Sequence, residues 1–288
     1  MKTKTKIKRT KGEKVVFAIM FTWLLIYSLT FLAAYFFIFM NTFKHADFYD
    51  MNSIFAFPDV WDFNNYAEVL TTFNYKGSGY FQMCLHTIWF SLTGSIPSLI
   101  STAACSYAYA RYKFPGRRII FGINIVMLTL SLPGSQPAFY KLFCDLGMRN
   151  SWKYIFGCFD GFGSRFIILV GFWKGIDWAY AEAAYMDGGT EWTVFRKVMI
   201  PQAMPMLSVF FLLGFINAWG AYEFTMLYMD NYPSIALGLF LYQQGSDRVA
   251  DTPMYYSALA LTAIPSLILF SIFQDRILST INIGGLKG

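Results

Sequence analysis

Apolar residues in this chain come in long uninterrupted blocks rather than in short amphipathic repeats. Six blocks of about 20 or more residues can be drawn, the length of an apolar helix that crosses a bilayer. They are Val15–Met40, Cys84–Ala110, Ile119–Phe139, Tyr154–Gly175, Met204–Tyr228 and Met254–Phe273. The first, third and sixth carry no charge; the fourth holds Asp160 and Arg165 beside several glycines, and the fifth holds Glu223. Pro97 and Pro265 fall inside blocks, which a membrane helix tolerates when neighbours satisfy the freed carbonyls. The pattern predicts an all-α, polytopic membrane protein with six transmembrane helices filling residues 15–280.

Two polar stretches interrupt the blocks. Residues 41–83 contain Phe63, Tyr66, Ala67, Leu70 and Phe73 at helical spacing, which predicts a helix lying flat at the outer interface, with Trp61 and the tyrosines at headgroup depth. The second, residues 177–201, predicts a helix–turn–helix. Asp177 caps a helix from Trp178 to Met186, rich in alanine. Gly188 and Gly189 stop it. Thr190 caps a second helix over Glu191–Met199, which Ile200-Pro201 closes. The residues alone leave two readings open: a loop that seals the bundle, or a knob that docks on another protein.

Composition agrees with a lipid solvent. The 288 residues are 56% hydrophobic and 14% charged, about half the charge of an average soluble domain. Lys2, Lys4, Lys6, Lys8, Arg9, Lys11 and Lys14 crowd residues 1–14, and the charge-free block after them predicts a basic tail held inside rather than a nucleic-acid arm. With that end inside, sixteen lysines and arginines fall on inner segments and six on outer ones, so both termini are expected in the cytoplasm. Cys84, Cys105, Cys144 and Cys158 are widely spaced and the only histidines are His45 and His86, so neither a metal set nor a catalytic constellation is expected. No Gly-x-x-x-x-Gly-Lys-Ser/Thr phosphate loop occurs, which excludes ATP hydrolysis by that route.

The second polar stretch resembles the EAA signature of ABC importer permeases: Glu-Ala-Ala, three residues, Gly, nine residues, Ile, one residue, Leu-Pro. Glu182, Ala183, Ala184, Gly188 and Pro201 stand at that spacing, with Val198 and Ile200 in place of the Ile and Leu and Asp187 before the glycine. The ending "INIGGLKG" and the outer "FPDVWDFNNYAEVL" are similar to the maltose-permease G-subunit type of carbohydrate importers. That resemblance implies a cytoplasmic coupling element in which Glu182, Ala183, Ala184, Asp187, Gly188 and Pro201 engage an ATPase. It also implies a tail, residues 281–288 with Gly284, Gly285 and Lys287, that reaches between ATPase subunits. The implied partners are a second, different permease chain, two copies of an ABC ATPase, an extracytoplasmic solute-binding protein and a carbohydrate, with ATP and Mg bound by the ATPase and no cofactor on this chain.

Polar groups inside the blocks mark either a transport path or helix–helix contacts. Asn124, Arg165, Asn217, Tyr222 and Glu223 are the candidates, and the aromatic-polar run Asn217–Glu223 suits a sugar. Competing readings are an importer of a non-sugar solute and an ion-driven secondary transporter, for which Glu223 is the main support.

Overall fold

The computed structural model describes residues 10–46, 49, 54–130, 135–245 and 252–284. They divide between two units, residues 1–69 with 246–261 and residues 70–245 with 262–288.

In the first unit, Thr10 starts helix α1 (Lys11–Asn41) with a capping box: its hydroxyl accepts from Glu13 N–H, and the Glu13 carboxylate accepts from Thr10 N–H at 2.9 Å. Lys11 and Lys14 therefore belong to the helix, not to a separate tail. Apolar side chains surround α1 and stay exposed along most of its length, as in a helix solvated by lipid or by another chain. Past its end, buried Asn65 donates to the carbonyls of Thr42 and Lys44, both at 2.9 Å. Phe43 is buried among the rings of Trp61, Phe63 and Tyr66. The expected outer helix is α2 (Asn64–Thr72), but its buried residues are Asn65 and Val69, while Phe63 and Leu70 are exposed. The apolar stripe read from the sequence is therefore split: Phe63, Ala67 and Leu70 are exposed, Tyr66 is half-buried and Phe73 is buried.

The second unit begins with a hairpin, β1 (Asn74–Tyr75) and β2 (Ser78–Gly79), a small exception to the all-α expectation. Helix α3 (Tyr80–Arg111) continues through Pro97 and is the element on which α7 and α10 pack. The reason lies in its buried face: Ser91, Ser95, Ser98, Thr102 and Ser106 recur every three or four residues and are small enough for close helix approach.

Three of the expected blocks are not single helices. Block three is α4 (Arg117–Thr129) and α5 (Ser135–Asp145). Leu130 is already extended, and Pro133-Gly134 in the sequence disfavours continuation. Block four is α6 (Tyr154–Gly157) and α7 (Ser164–Gly175), separated by irregular backbone in which Gly163 has a φ of 112°. Gly161 lets that backbone touch α3, since a Cβ there would lie 2.7 Å from Cys105 Sγ. The Asp160 carbonyl, which no helix satisfies, accepts from Ser101 and Thr102 hydroxyls at 2.8 and 2.9 Å.

Helix α8 (Ala179–Met186) ends at a turn, after which α9 (Glu191–Thr193), a π-helical turn (Val194–Met199) and α10 (Ile200–Gly220) follow one another without a break. Ile200-Pro201 therefore does not close the second helix of the insert: Pro201 sits inside a continuous 30-residue helix, Glu191–Gly220. The wider π turn just before it relieves the clash that proline makes with the preceding turn. Block five ends at Gly220, and α11 (Glu223–Tyr228) follows. Helix α12 (Ile235–Gly245) was not foreseen; its apolar run is too short to draw as a span. Helix α13 (Thr252–Gly284) continues past residue 281, so residues 281–284 are helical rather than tail.

Four described helices are long and apolar enough to cross a membrane: Lys11–Asn41, Tyr80–Arg111, Glu191–Gly220 and the Thr252–Gln274 part of α13. The chain is a multi-pass membrane protein.

Candidate functional site

The Glu182–Pro201 stretch is anchored at its base and open at its tip. Asp177 accepts from Ala179 N–H at 3.1 Å, which starts α8. Helix α8 then buries Ala181 completely in a cluster with Trp173 of α7, Val194 and Met199 of the π turn and Tyr107 of α3. The small side chain of Ala181 lets α8 lie close on the bundle. Ala184 packs partly on the same cluster, whereas Glu182, Ala183 and Asp187 are exposed, as are Tyr180, Met186 and Trp192.

The turn is a Schellman motif. Gly189 N–H donates to Ala184 O and Gly188 N–H to Tyr185 O, both at 2.9 Å, with Gly188 left-handed at φ 79°. The two glycines are needed for different reasons. Gly188 supplies the backbone conformation; at Gly189 a Cβ would come within 2.6 Å of the Ala184 carbonyl oxygen. Sequence reasoning did not separate the two roles.

Two polar staples hold this element to α3, and neither was singled out from the sequence. Arg111 donates to the carbonyls of Trp173 and Ile176, the latter at 2.8 Å, and lies 5.0 Å from the Trp178 ring, so it closes the C-terminal end of α7. Glu191 accepts from Tyr112 and from Tyr185, the latter at 2.7 Å. Burial, and then the hydrogen bond to Glu191, push the Tyr185 hydroxyl up to about 12, so it remains a donor at physiological pH. The available signal was an arginine and a tyrosine closing the block before a short loop, a pattern too common to stand out.

A second feature is a cavity of about 720 Å³ bounded by α3, the α6–α7 segment and α10. Its polar lining includes Ser95, Ser98, Asp160, Ser164, Arg165 and Asn217, and its aromatic lining is Phe90, Tyr154, Phe210 and Phe224. Among the transport-path candidates, Arg165 and Asn217 are brought together here. Asn124 is buried and pins the start of α7 instead, accepting from Gly163 N–H at 2.7 Å. Tyr222 stacks on Phe240 at 4.2 Å, and exposed Glu223 opens α11; neither lines the cavity. Gly284 is the last helical residue, and Gly285 and Lys287 lie outside the described residues. Among the described residues no group of three or more His, Cys, Asp or Glu side chains could hold a metal.

The described helices thus give a membrane protein with an anchored polar elbow and a partly open cavity, and the family match defines its class as a membrane transport component. The sequence profile of the family described as the binding-protein-dependent transport system inner membrane component matches residues 95–282, and the chain belongs to that family. Among its curated relatives is the maltose/maltodextrin transport system permease protein of Salmonella typhimurium, 28% identical over 194 residues. That alignment covers 65% of this chain and 66% of the relative, so the match spans just under two thirds of that protein's length. The diacetylchitobiose uptake system permease protein of Streptomyces coelicolor is 26% identical over 225 residues, covering 76% of this chain and 72% of the relative. A solved bacterial ABC transporter involved in import of the acidic polysaccharide alginate shares the fold: TM-score 0.76, 22% identity, 94% of this chain and 100% of the matched chain.

Proposed function

We propose that this chain is one permease subunit of an ATP-driven importer that takes up a carbohydrate delivered by an extracytoplasmic solute-binding protein. It works beside a second, different permease chain and two copies of an ABC ATPase, which bind the ATP and Mg; the chain itself carries no catalytic group or cofactor and engages no nucleic acid. In this reading the polypeptide crosses the cell membrane six times with both termini in the cytoplasm. Two of the crossings are made by paired shorter helices, α4 with α5 and α6 with α7. The permeases named above, for maltodextrins and diacetylchitobiose, support a sugar as cargo.

The observation that carries the reading is the mechanical build of α8 and α9. Their base is locked to α3, α7 and α10 through Ala181, Arg111 and Glu191, while Glu182, Ala183, Met186 and Asp187 face outward. A push on the tip is therefore delivered to the helices that bound the cavity. Glu182 pairs with a basic group of the ATPase, and the exposed apolar Tyr180, Met186 and Trp192 fill its cleft.

The test is ATP-driven maltotriose uptake by the complete importer in proteoliposomes. Glu182→Lys keeps the chain in the membrane but lowers uptake about tenfold or more relative to ATP hydrolysis, the size expected when a partly buried interface charge is reversed. Gly189→Val, which drives a side chain into the Ala184 carbonyl, does the same from within the turn. Wild-type uptake in both variants would refute the coupling role.

A further inference from the structure

Arg165 has no assignment in the coupling element and none in helix packing. Its side chain is half-buried in the wall of the cavity, and among the described residues it makes no ion pair or hydrogen bond. Asp160 lines the same cavity but does not pair with it, and is exposed. Gly214 of α10 marks where the guanidinium lies: a Cβ built there would be 3.7 Å from Arg165 Nη1 and 3.2 Å from Ser95 Oγ. Ser95 and Ser98, 4% and 5% exposed, border the cavity, but their hydroxyl oxygens are buried in the packing and have no hydrogen-bond partner. One amide N–H of Asn217 is spent on Leu213 O at 2.8 Å, which leaves its carbonyl oxygen for the cavity.

A partly desolvated guanidinium without a counter-charge is costly, and buried hydroxyls without partners add to the cost. A ligand that brings an anion removes the first of these penalties. Arginine's planar fork matches a carboxylate bidentately. The aromatic rings of Phe90, Tyr154, Phe210 and Phe224 offer flat apolar faces to a sugar ring, and the volume is in the usual range for a small-molecule site.

We propose that the cavity binds an acidic sugar, its carboxylate on Arg165 and a hydroxyl on the Asn217 amide oxygen, so that the imported carbohydrate contains uronate units. This rests on the importer reading and specifies its cargo.

The experiment is calorimetric titration of the purified permease–ATPase assembly in nanodiscs, without the binding protein, with trigalacturonate and with maltotriose. The acidic trimer is expected to bind roughly ten- to hundredfold tighter. Arg165→Gln is expected to erase that preference, and Arg165→Lys, which keeps the charge without the fork, to fall between. Equal affinity of the wild-type assembly for the two trimers overturns the proposal, whether or not the variants assemble. So does a preference that persists in Arg165→Gln. Glucuronate and glucose 6-phosphate serve as single-unit probes, and tighter binding of the phosphate overturns the carboxylate assignment. ATP-driven uptake of maltotriose with no acidic preference would sink this inference and leave the importer reading intact. Acid-selective binding with no ATP-driven uptake of either trimer would do the reverse.

Discussion

The two halves of α3 use the same hydroxyl stripe in opposite ways. Toward its C-terminus every serine or threonine is satisfied: Ser101 and Thr102 donate to Asp160 O, and Ser106 accepts from the buried Trp173 indole at 2.9 Å. Toward the middle, the hydroxyls of Ser91, Ser95 and Ser98 are buried and unpaired, and the last two border the cavity. The C-terminal stretch is glue, whereas Ser95 and Ser98 border the cavity with their hydroxyls unpaired. Both keep helices close, because small side chains do that wherever they sit. Only the C-terminal stretch has every hydroxyl paired.

The largest effect is expected where the glued half is capped. Arg111→Ala frees the carbonyls of Trp173 and Ile176 and removes the contact with the Trp178 ring, a loss of about 2–3 kcal/mol. Thermal melting of the purified protein checks it, and an unchanged midpoint would mean that Arg111 holds nothing. Next comes the direct comparison of two serines. Ser106→Ala strands the Trp173 N–H in a fully buried site and costs about 1–3 kcal/mol, whereas Ser95→Ala removes an unpaired hydroxyl and leaves the melting midpoint unchanged or raised. Equal losses in the two variants would erase the distinction between glue and lining.

The smallest effect lies away from α3, at Asp230. Its carboxylate is held below the usual range chiefly by the hydrogen bond from Asn150 at 2.8 Å, with Arg149 at 3.2 Å and Lys76 at 3.9 Å assisting. A depressed carboxylate contributes stability that is present above its unfolded pKa and lost as pH falls through the folded value. Acid titration of the melting midpoint should therefore show a shallow fall below the ordinary aspartate range that Asp230→Asn removes. The fall is small because the pairs are near the surface.

The residues of the elbow were legible because backbone chemistry is local. Glu182, Gly188 and Thr190 were placed by cap, turn and spacing, and the structure has a helix, a left-handed glycine and a helix in that order. Pro201 misled, because proline ends helices in isolation and the π turn that accommodates it leaves no mark in the sequence. The cavity was half legible. Arg165 and Asn217 stand out as polar groups in apolar blocks, while Asn124 has the same signature and a different task, holding Gly163. Ser95 and Ser98 were invisible, since serine is common in membrane helices as packing.

What the sequence alone determined is the solvent and the local hinges: long uncharged blocks demand lipid, and glycines and capping side chains break the backbone where their own stereochemistry requires it. Tertiary structure decided which polar groups are satisfied. A hydroxyl on α3 is glue or lining according to what α7, α10 and the irregular backbone at Asp160 place opposite it, and hydrogen bonding depends on distances between elements that no single stretch of sequence encodes.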